Sequence, residues 1–191
     1  MTMVEIHDTK VPGVKILKPQ YFEDYRGYYC ETYSARTLRQ LGICVTFVQD
    51  NHSFTLKKGT IRGIHFQNNP CPQIKLVRCT RGSILDVAVD LRKDSPTFMQ
   101  WDATVLSAEN RQQIWIPSGF GHGFLTLEDN CEVQYKVSSF YEPELDRAIA
   151  WNDPDIAVNW GIDAPIVSVK DVKAPRLRDS DVNFTMALNA E

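Results

Sequence analysis

The sequence lacks the short motifs that mark several large classes of enzyme. It has no Gly-x-Ser-x-Gly turn of the kind that presents a nucleophilic serine, which argues against a serine hydrolase. Glycine-rich phosphate loops of the dinucleotide-binding and Walker types are also absent, which argues against dinucleotide or ATP chemistry. Any phosphate must therefore be bound by cationic side chains. Arg26 and Arg62 are candidates because the guanidinium fork matches phosphate oxygens.

Metal-binding patterns are missing as well. The chain has only four histidines, and it contains neither His-x-His nor His-Glu-x-x-His. Its five cysteines are scattered without a Cys-x-x-Cys pair, so we expect reduced, mostly buried thiols with no functional role. The sequence therefore predicts no metal and no redox cofactor.

Neither charge nor hydropathy points to a large polyanionic or lipid partner. The net charge is −3 and the isoelectric point is near 5.8, so no global positive field attracts nucleic acid or an anionic membrane. No apolar run approaches the roughly 20 residues of a spanning helix, and residues 1–10 lack the pattern of a signal peptide. We expect a cytoplasmic protein that binds neither nucleic acid nor membranes.

A length of 191 residues predicts a single domain over residues 1–191. Apolar and polar residues alternate with period two in short runs that are separated by turn signals, which is typical of an antiparallel sandwich or closed barrel. The predicted strands are 46–54, 59–66, 73–80, 83–91, 100–106, 112–116 and 131–137.

Helical signals are few. Ser34 has the character of an N-cap before 35–41, and Gly42 follows as a stop, so one short helix is predicted there. From Trp151 onward the chain is rich in Asp-Pro and Ala-Pro steps, which predict an irregular C-terminal segment that wraps the barrel and can return a residue to its mouth.

Several predicted central strands carry polar residues on one face. Gln49, Asn51 and Ser53 share a face of their strand, and Gln73 and Lys75 share a face of theirs. Each face alone is equally consistent with solvent exposure. Because several strands share the pattern, a polar cavity inside a barrel is favoured.

Two histidines lie in glycine-flanked segments, His65 in RGIHFQ (62–67) and His122 in PSGFGHGF (117–124). Other distinctive segments, in chain order, are FVQDNHS (47–53), QIKLVR (73–78), DVAVDLR (86–92), SPTF (95–98) and WNDP (151–154). In order and spacing, from about Lys15 to Pro175, the sequence closely resembles the dTDP-4-dehydrorhamnose 3,5-epimerase family.

The resemblance implies a mainly all-β fold, a cupin jelly-roll antiparallel barrel, and a homodimer. It also implies a substrate, dTDP-4-dehydro-6-deoxy-D-glucose, which is inverted at C3 and C5 without a cofactor. Both carbons lie next to the C4 ketone, so each inversion requires a base, a cation for the enolate oxygen and an acid on the opposite ring face.

Catalytic roles also follow from the resemblance. His65 matches the family's base, and Asp171 matches the carboxylate that orients it. Lys75 matches the residue that stabilises the enolate oxygen, and Tyr135 matches the proton donor on the other face.

The resemblance assigns substrate contacts to a further set of residues. Tyr141 falls where an aromatic ring stacks on thymine. At Asp146 the family more often has Glu, which predicts a shorter or water-bridged contact, and Met99 replaces the usual glycine. The full set of implied binding residues is Arg26, Glu31, Gln49, Asn51, Arg62, His122, Tyr141, Asp146 and Lys170.

Arg62 and His65 have opposite parity and would face opposite sides of an ideal strand, so both assignments require a bulge at Gly63. Three alternatives to the double epimerase remain at this stage. They are an epimerase that inverts only C3 or C5, a non-catalytic barrel that binds sugar nucleotides, and a metal-dependent cupin oxygenase.

Overall fold

The computed structural model of the chain describes residues 3–186. Strands account for most of its regular structure. In chain order they are Val4–Asp8 (β1), Lys15–Pro19 (β2), Tyr21–Asp24 (β3), Gly27–Cys30 (β4), Gln49–Thr55 (β5), Thr60–Gln67 (β6), Lys75–Arg81 (β7), Ser83–Asp90 (β8), Trp101–Ser107 (β9), Gln113–Ile116 (β10), Phe120–Thr126 (β11), Cys131–Val137 (β12), Asp146–Ala148 (β13) and Ile166–Val167 (β14).

Two large sheets contain all of these strands except the β3–β4 hairpin. The first sheet has the order β1-β2-β10-β7-β12-β5, and the second has the order β13-β6-β11-β8-β9 with β14 added beside β6. From β5 to β12 the chain crosses between the sheets at every step except the β8–β9 hairpin, in the manner of a jelly roll, and all of these pairings are antiparallel. The predicted mainly-β, jelly-roll barrel is confirmed.

The helices are short, as predicted. Helix α1 covers Ala35–Gln40, and the Ser34 side chain accepts a hydrogen bond of 3.2 Å from the Thr37 amide at its start. The C-terminal region contributes helix α2 (Val169–Val172) and a 3₁₀ turn at Leu177–Asp179, and it is otherwise irregular apart from β13 and β14.

Three apolar clusters hold these layers together. Val77 and Ile114 of the first sheet meet Ile84 and Leu106 of the second inside the barrel. The C-terminal segment covers the outer face of the second sheet with Trp160, Leu177 and Phe184, among other residues. Helix α1 and the residues after it cover part of the outer face of the first sheet through Leu38 and Ile43. Apolar side chains thus fill one part of the barrel and leave the rest open for the polar cavity described below.

The predicted strands coincide with observed ones, with end shifts of up to three residues. The largest shift is at β5, which begins at Gln49 because 46–48 precede the ladder with β12. Seven observed strands were not predicted, namely β1 to β4, β11, β13 and β14. In β11 the two glycines are as compatible with a turn as with a strand. The prediction that the cysteines are mostly buried was wrong, since only Cys79 and Cys131 are buried and Cys44 is exposed.

Candidate active site

A cavity of about 720 Å³ opens between the two sheets. Both sheets and the C-terminal segment contribute to its wall. The predicted site residues that line it are Gln49, Asn51, Arg62, His65, Lys75, His122, Tyr135, Tyr141, Asp146, Lys170 and Asp171. Eleven of the thirteen predicted site residues therefore meet in one cavity, together with Ser53 and Gln73 from the two predicted polar faces.

An imidazole–carboxylate pair lies on the wall formed by the second sheet. His65 Nε2 on β6 lies 2.5 Å from Asp171 Oδ1 in α2, although 106 residues separate them. The Ser168 hydroxyl caps α2 by accepting a hydrogen bond from the Asp171 amide, which fixes the backbone that carries the carboxylate. The C-terminal segment thus returns a residue to the mouth of the barrel, as its sequence predicted.

The charge of Asp171 suits it to orient a histidine. Burial by itself would raise the pKa of this carboxyl, but its interaction with His65, together with hydrogen bonds from Ser168 and the Gly63 backbone, outweighs burial and lowers the pKa below its ordinary value. The carboxylate therefore accepts the Nε2 proton of His65. This tautomer leaves Nδ1 unprotonated and able to take up a proton.

Lys75 and Tyr135 come from neighbouring strands of the opposite sheet. The Lys75 ammonium lies 6.0 Å from the centre of the Tyr135 ring, and the lysine is only 7% exposed. Burial lowers the pKa of Lys75 to about 8, with the Asp86 charge as the largest opposing influence. Burial also raises the pKa of Tyr135, so its phenol keeps its proton at neutral pH.

Sequence reasoning missed Asp86, which is completely buried on β8. Its two carboxylate oxygens lie 3.0 and 2.9 Å from His122 Nε2. A carboxylate between the apolar residues Leu85 and Val87 was the available signal, because a buried charge requires a partner. Burial lowers the pKa of His122 despite Asp86, so the ring is neutral at pH 7 and carries its proton on Nε2.

The predicted bulge at Gly63 is confirmed. Strand β11 pairs Phe124 with Arg62 and His122 with His65, so β6 has one more residue than β11 between these pairs. A side chain at Gly63 is excluded, since a Cβ there would lie 2.4 Å from the Gly123 Cα. Because of the bulge, Arg62 and His65 line the same cavity.

Arg62 retains a charge that no carboxylate neutralises within the described part of the chain. Its Nε donates to the Thr55 hydroxyl at 2.9 Å and its Nη2 donates to the Phe54 carbonyl at 3.2 Å, and both acceptors are neutral. The guanidinium is exposed at the cavity wall. This arrangement is suited to an anionic ligand such as a phosphate.

A polar cluster forms the cavity mouth. Asp146 Oδ2 accepts hydrogen bonds from the Tyr141 hydroxyl at 3.2 Å and from Lys170 Nζ at 2.5 Å. Gln49 donates to Asn51 at 2.8 Å and accepts from the Tyr141 amide at 3.2 Å. Tyr141 is half exposed, which leaves room for a planar ligand on its ring.

Arg26 and Glu31 lie outside this cavity. Arg26 is exposed at the tip of the β3–β4 hairpin and forms an ion pair of 2.6 Å with Asp24. Glu31 accepts a hydrogen bond of 3.0 Å from Thr37 at the start of α1. A single copy of the chain does not bring these two residues to the other eleven.

Residues 3–186 contain no group of three or more His, Cys, Asp or Glu side chains arranged to hold a metal ion, and no helix among them is long and apolar enough to cross a membrane. Met99 has a φ of +66°. Glycine adopts that left-handed conformation without strain, which agrees with the glycine that the resemblance implies at this position.

The fold and the site together define a class. A jelly-roll cavity with an oriented imidazole, a buried ammonium and a protonated phenol has the equipment of an enzyme that moves protons at carbon next to a carbonyl. The sequence profile of the family described as dTDP-4-dehydrorhamnose 3,5-epimerase matches residues 8–179. The chain belongs to this epimerase family.

Individual relatives are similar over nearly their whole length. The dTDP-4-dehydrorhamnose 3,5-epimerase of Salmonella typhimurium is 49% identical over 177 residues, covering 92% of this chain and 96% of that protein. The crystal structure of the Bacillus anthracis enzyme with TDP and PPi bound is 45% identical with a TM-score of 0.88, covering 91% of this chain and 99% of that one. The Legionella pneumophila 3,5-epimerase in complex with dTDP-4-keto-L-rhamnose is 40% identical with a TM-score of 0.89, covering 93% and 95% of the two chains.

Proposed function

We propose that this enzyme inverts C3 and C5 of dTDP-4-dehydro-6-deoxy-D-glucose to give dTDP-4-dehydro-L-rhamnose. One observation carries the proposal: the base and the acid lie on different walls of one cavity. His65, oriented by Asp171, belongs to the second sheet, and Tyr135 belongs to the first. An inversion requires the base and the acid to lie on opposite sides of the sugar ring, because one proton leaves one ring face and another proton is added to the opposite face.

The proposed reaction moves one proton off the sugar and one proton on at each carbon. His65 Nδ1 takes the proton from C3 or C5, and the electron pair of the broken C–H bond becomes the enolate, with its negative charge on the C4 oxygen. The Lys75 ammonium stabilises that oxygen. Tyr135 then gives its proton to the opposite face of the same carbon, and solvent restores both residues.

We assign substrate binding to the rest of the wall. Arg62, whose charge is not neutralised, faces the pyrophosphate, and Lys170 adds a second cation at the mouth. The Tyr141 ring stacks on the thymine. Asp146 orients the Tyr141 ring by accepting a hydrogen bond from the tyrosine hydroxyl. The sugar is contacted by His122, and polar contacts to the nucleotide come from Gln49 and Asn51.

We further infer a homodimer in which the β3–β4 hairpin of one copy reaches the cavity of the other. The hairpin exposes Phe22, Tyr25, Tyr28 and Tyr29, with Tyr25 97% exposed, which is typical of an interaction surface. Such an exchange would bring Arg26, and with it Glu31, to the nucleotide site. Sedimentation of the protein as a monomer at micromolar concentration would refute this arrangement.

No metal or redox cofactor takes part in this mechanism, and we place the enzyme in the cytoplasm. Metal analysis of the purified protein tests the first statement. Stoichiometric iron or zinc that is required for turnover would contradict it, and iron would favour the oxygenase alternative.

Proton NMR in deuterated water tests the function directly. With dTDP-4-dehydro-6-deoxyglucose, we expect deuterium to enter at both C3 and C5 and the product to have the L configuration. Exchange at a single carbon would indicate an epimerase with one inversion. Absence of exchange at either carbon would indicate a different substrate or a binding protein.

The Tyr135→Phe variant is expected to separate exchange from inversion. Removing the phenol leaves His65 able to abstract a proton and return deuterium to the same face, so C–H exchange continues while inversion is lost. The measurement compares deuterium content with stereochemistry in the NMR assay above. Unimpaired inversion would mean that another acid, or water, protonates the second face.

A further inference from the structure

A second histidine–carboxylate pair lies at the cavity wall, where His122 lines the cavity and its carboxylate partner lies behind it. Asp86 on β8 is 0% exposed, and both of its oxygens are within 3.0 Å of His122 Nε2. His122 pairs in register with Ala88, two residues along β8 on the same face as Asp86. The contact is thus built by two adjacent, largely buried strands of one sheet.

The carboxylate has two possible electrostatic partners, and they differ in charge. His122 is neutral at pH 7, because burial lowers its pKa. Lys75, from the opposite sheet, is the nearby cation, and Asp86 is the largest influence that favours its charged form.

Asp86 shares the inward face of β8 with Ile84 and Ala88, which lie in the core inside the barrel. Lys75 shares the inward face of β7 with Val77 of the same core, so both charged groups point into the barrel from opposite sheets. Within the described residues, no lysine or arginine forms an ion pair with Asp86.

The other charged and titratable groups that act on Lys75 cannot replace Asp86. Asp146 on β13 is already paired with Lys170 at 2.5 Å at the open mouth, and Lys170 itself disfavours a second cation. Tyr135 on β12 is protonated, and His122 on β11 is neutral. His65 is paired with Asp171.

We propose that Asp86 is a positioning residue of this epimerase, which fixes His122 with its proton on Nε2 and supplies the negative charge that keeps Lys75 an ammonium. The inference rests on the proposed function. His122 then presents Nδ1 as a hydrogen-bond acceptor, suited to a sugar hydroxyl rather than to the enolate oxygen. Lys75 is left as the cation for that oxygen, and its charge depends on a residue that touches no substrate.

The Asp86→Asn variant tests the proposal through the pH dependence of kcat. Asparagine keeps the size of the side chain but removes the charge that favours the ammonium form of Lys75. The alkaline limb of the kcat profile should therefore shift to lower pH by one unit or more. For a shift of one unit, the ratio of wild-type to variant kcat rises about tenfold between pH 6 and pH 9. A ratio that stays constant over this range would mean that Asp86 has only a structural role, and it would overturn the proposal.

Asp102→Asn is the matched control. Asp102 is also a buried aspartate of the second sheet, but it accepts hydrogen bonds from the amides of Lys10 and Val11 and does not line the cavity. Its replacement should leave the shape of the pH profile unchanged. A shift equal to that of Asp86→Asn would show that the profile responds to any buried aspartate, and the proposal would fail.

A stability cycle keeps the proposal testable if Asp86→Asn folds poorly or if the substrate assignment is wrong. Removing one of two buried opposite charges that stabilise each other leaves the remaining charge without compensation, whereas removing both does not. The Asp86→Asn/Lys75→Met double variant should therefore melt at a higher temperature than either single variant. A double variant that melts no higher than the more stable single one would refute the coupling, whatever the wild-type enzyme does with the substrate.

Discussion

Replacing His65 with asparagine is expected to lower kcat about 10²- to 10⁴-fold, because a general base that acts in the transition state contributes a factor of this size. Deuterium exchange at C3 and C5 should fall with turnover, because the other oriented histidine of the cavity, His122 with Asp86, is assigned to binding the sugar and not to taking protons from carbon. Steady-state rates together with exchange rates by NMR provide the measurement. The fold should persist, because His65 is only partly buried at the cavity wall.

Asp171→Asn is expected to have an effect in the same range by a different route. The amide of asparagine can donate to Nε2, which favours the tautomer with the proton on Nδ1, and that nitrogen is then unable to accept a proton from carbon. Substrate affinity should change little, because Asp171 acts through His65. The expected signature is therefore a fall in kcat with a nearly constant KM.

His7→Asn is a suitable control for both variants. His7 lies on the edge strand β1, pairs with Glu5 and does not line the cavity. Its replacement should leave the rate at the wild-type level. Rates close to wild type in His65→Asn or in Asp171→Asn, with circular dichroism unchanged, would refute the assignment of the pair.

Part of this site could be predicted from local pattern. Alternation along β5 and β7 indicated that Gln49, Asn51 and Lys75 face a polar interior, and all three line the cavity. The parity conflict between Arg62 and His65 likewise required a bulge at Gly63, and the structure has one. These inferences succeeded because strand geometry is set by neighbouring residues in the sequence.

The contact between His65 and Asp171 could not be predicted in this way. It spans 106 residues and depends on how an irregular, proline-rich segment crosses the mouth of the barrel. Only the resemblance to a known family pointed to it. Arg26 and Glu31 were named on the same basis, and one copy of the chain leaves them outside the cavity.

Strand β11 illustrates a different failure. Gly121 and Gly123 were compatible with either a strand or a turn, and in the structure they lie in a strand where β6 approaches closely. A Cβ on Gly121 would lie 2.5 Å from Ile64, and one on Gly123 would lie 3.0 Å from the Arg62 carbonyl oxygen. Glycine thus marks close packing between strands here, and sequence alone does not distinguish this use from a turn.

Lys75→Met is expected to lower kcat about 10²- to 10³-fold, the cost that accompanies loss of one donor to a developing oxyanion. Methionine has a similar length and suits a buried site, so the loss should reflect the missing charge. The charged form of Lys75 is its acid form, and burial sets its pKa at about 8. Its contribution to the wild-type rate is therefore complete well below pH 8, and it is lost as the pH rises through that value.

The pH profile distinguishes this role from simple packing. Wild-type kcat should fall above about pH 8, and the residual activity of Lys75→Met should lack that limb, because no titrating ammonium remains. Lys15→Met serves as the control, since Lys15 lies on β2 of the same sheet and pairs with Asp8 outside the cavity. Were Lys75→Met to keep the alkaline limb near pH 8, the limb would belong to another group and the enolate would need a different stabilising cation. Lys170, which lies in the same cavity at its mouth, would then be the first residue to test.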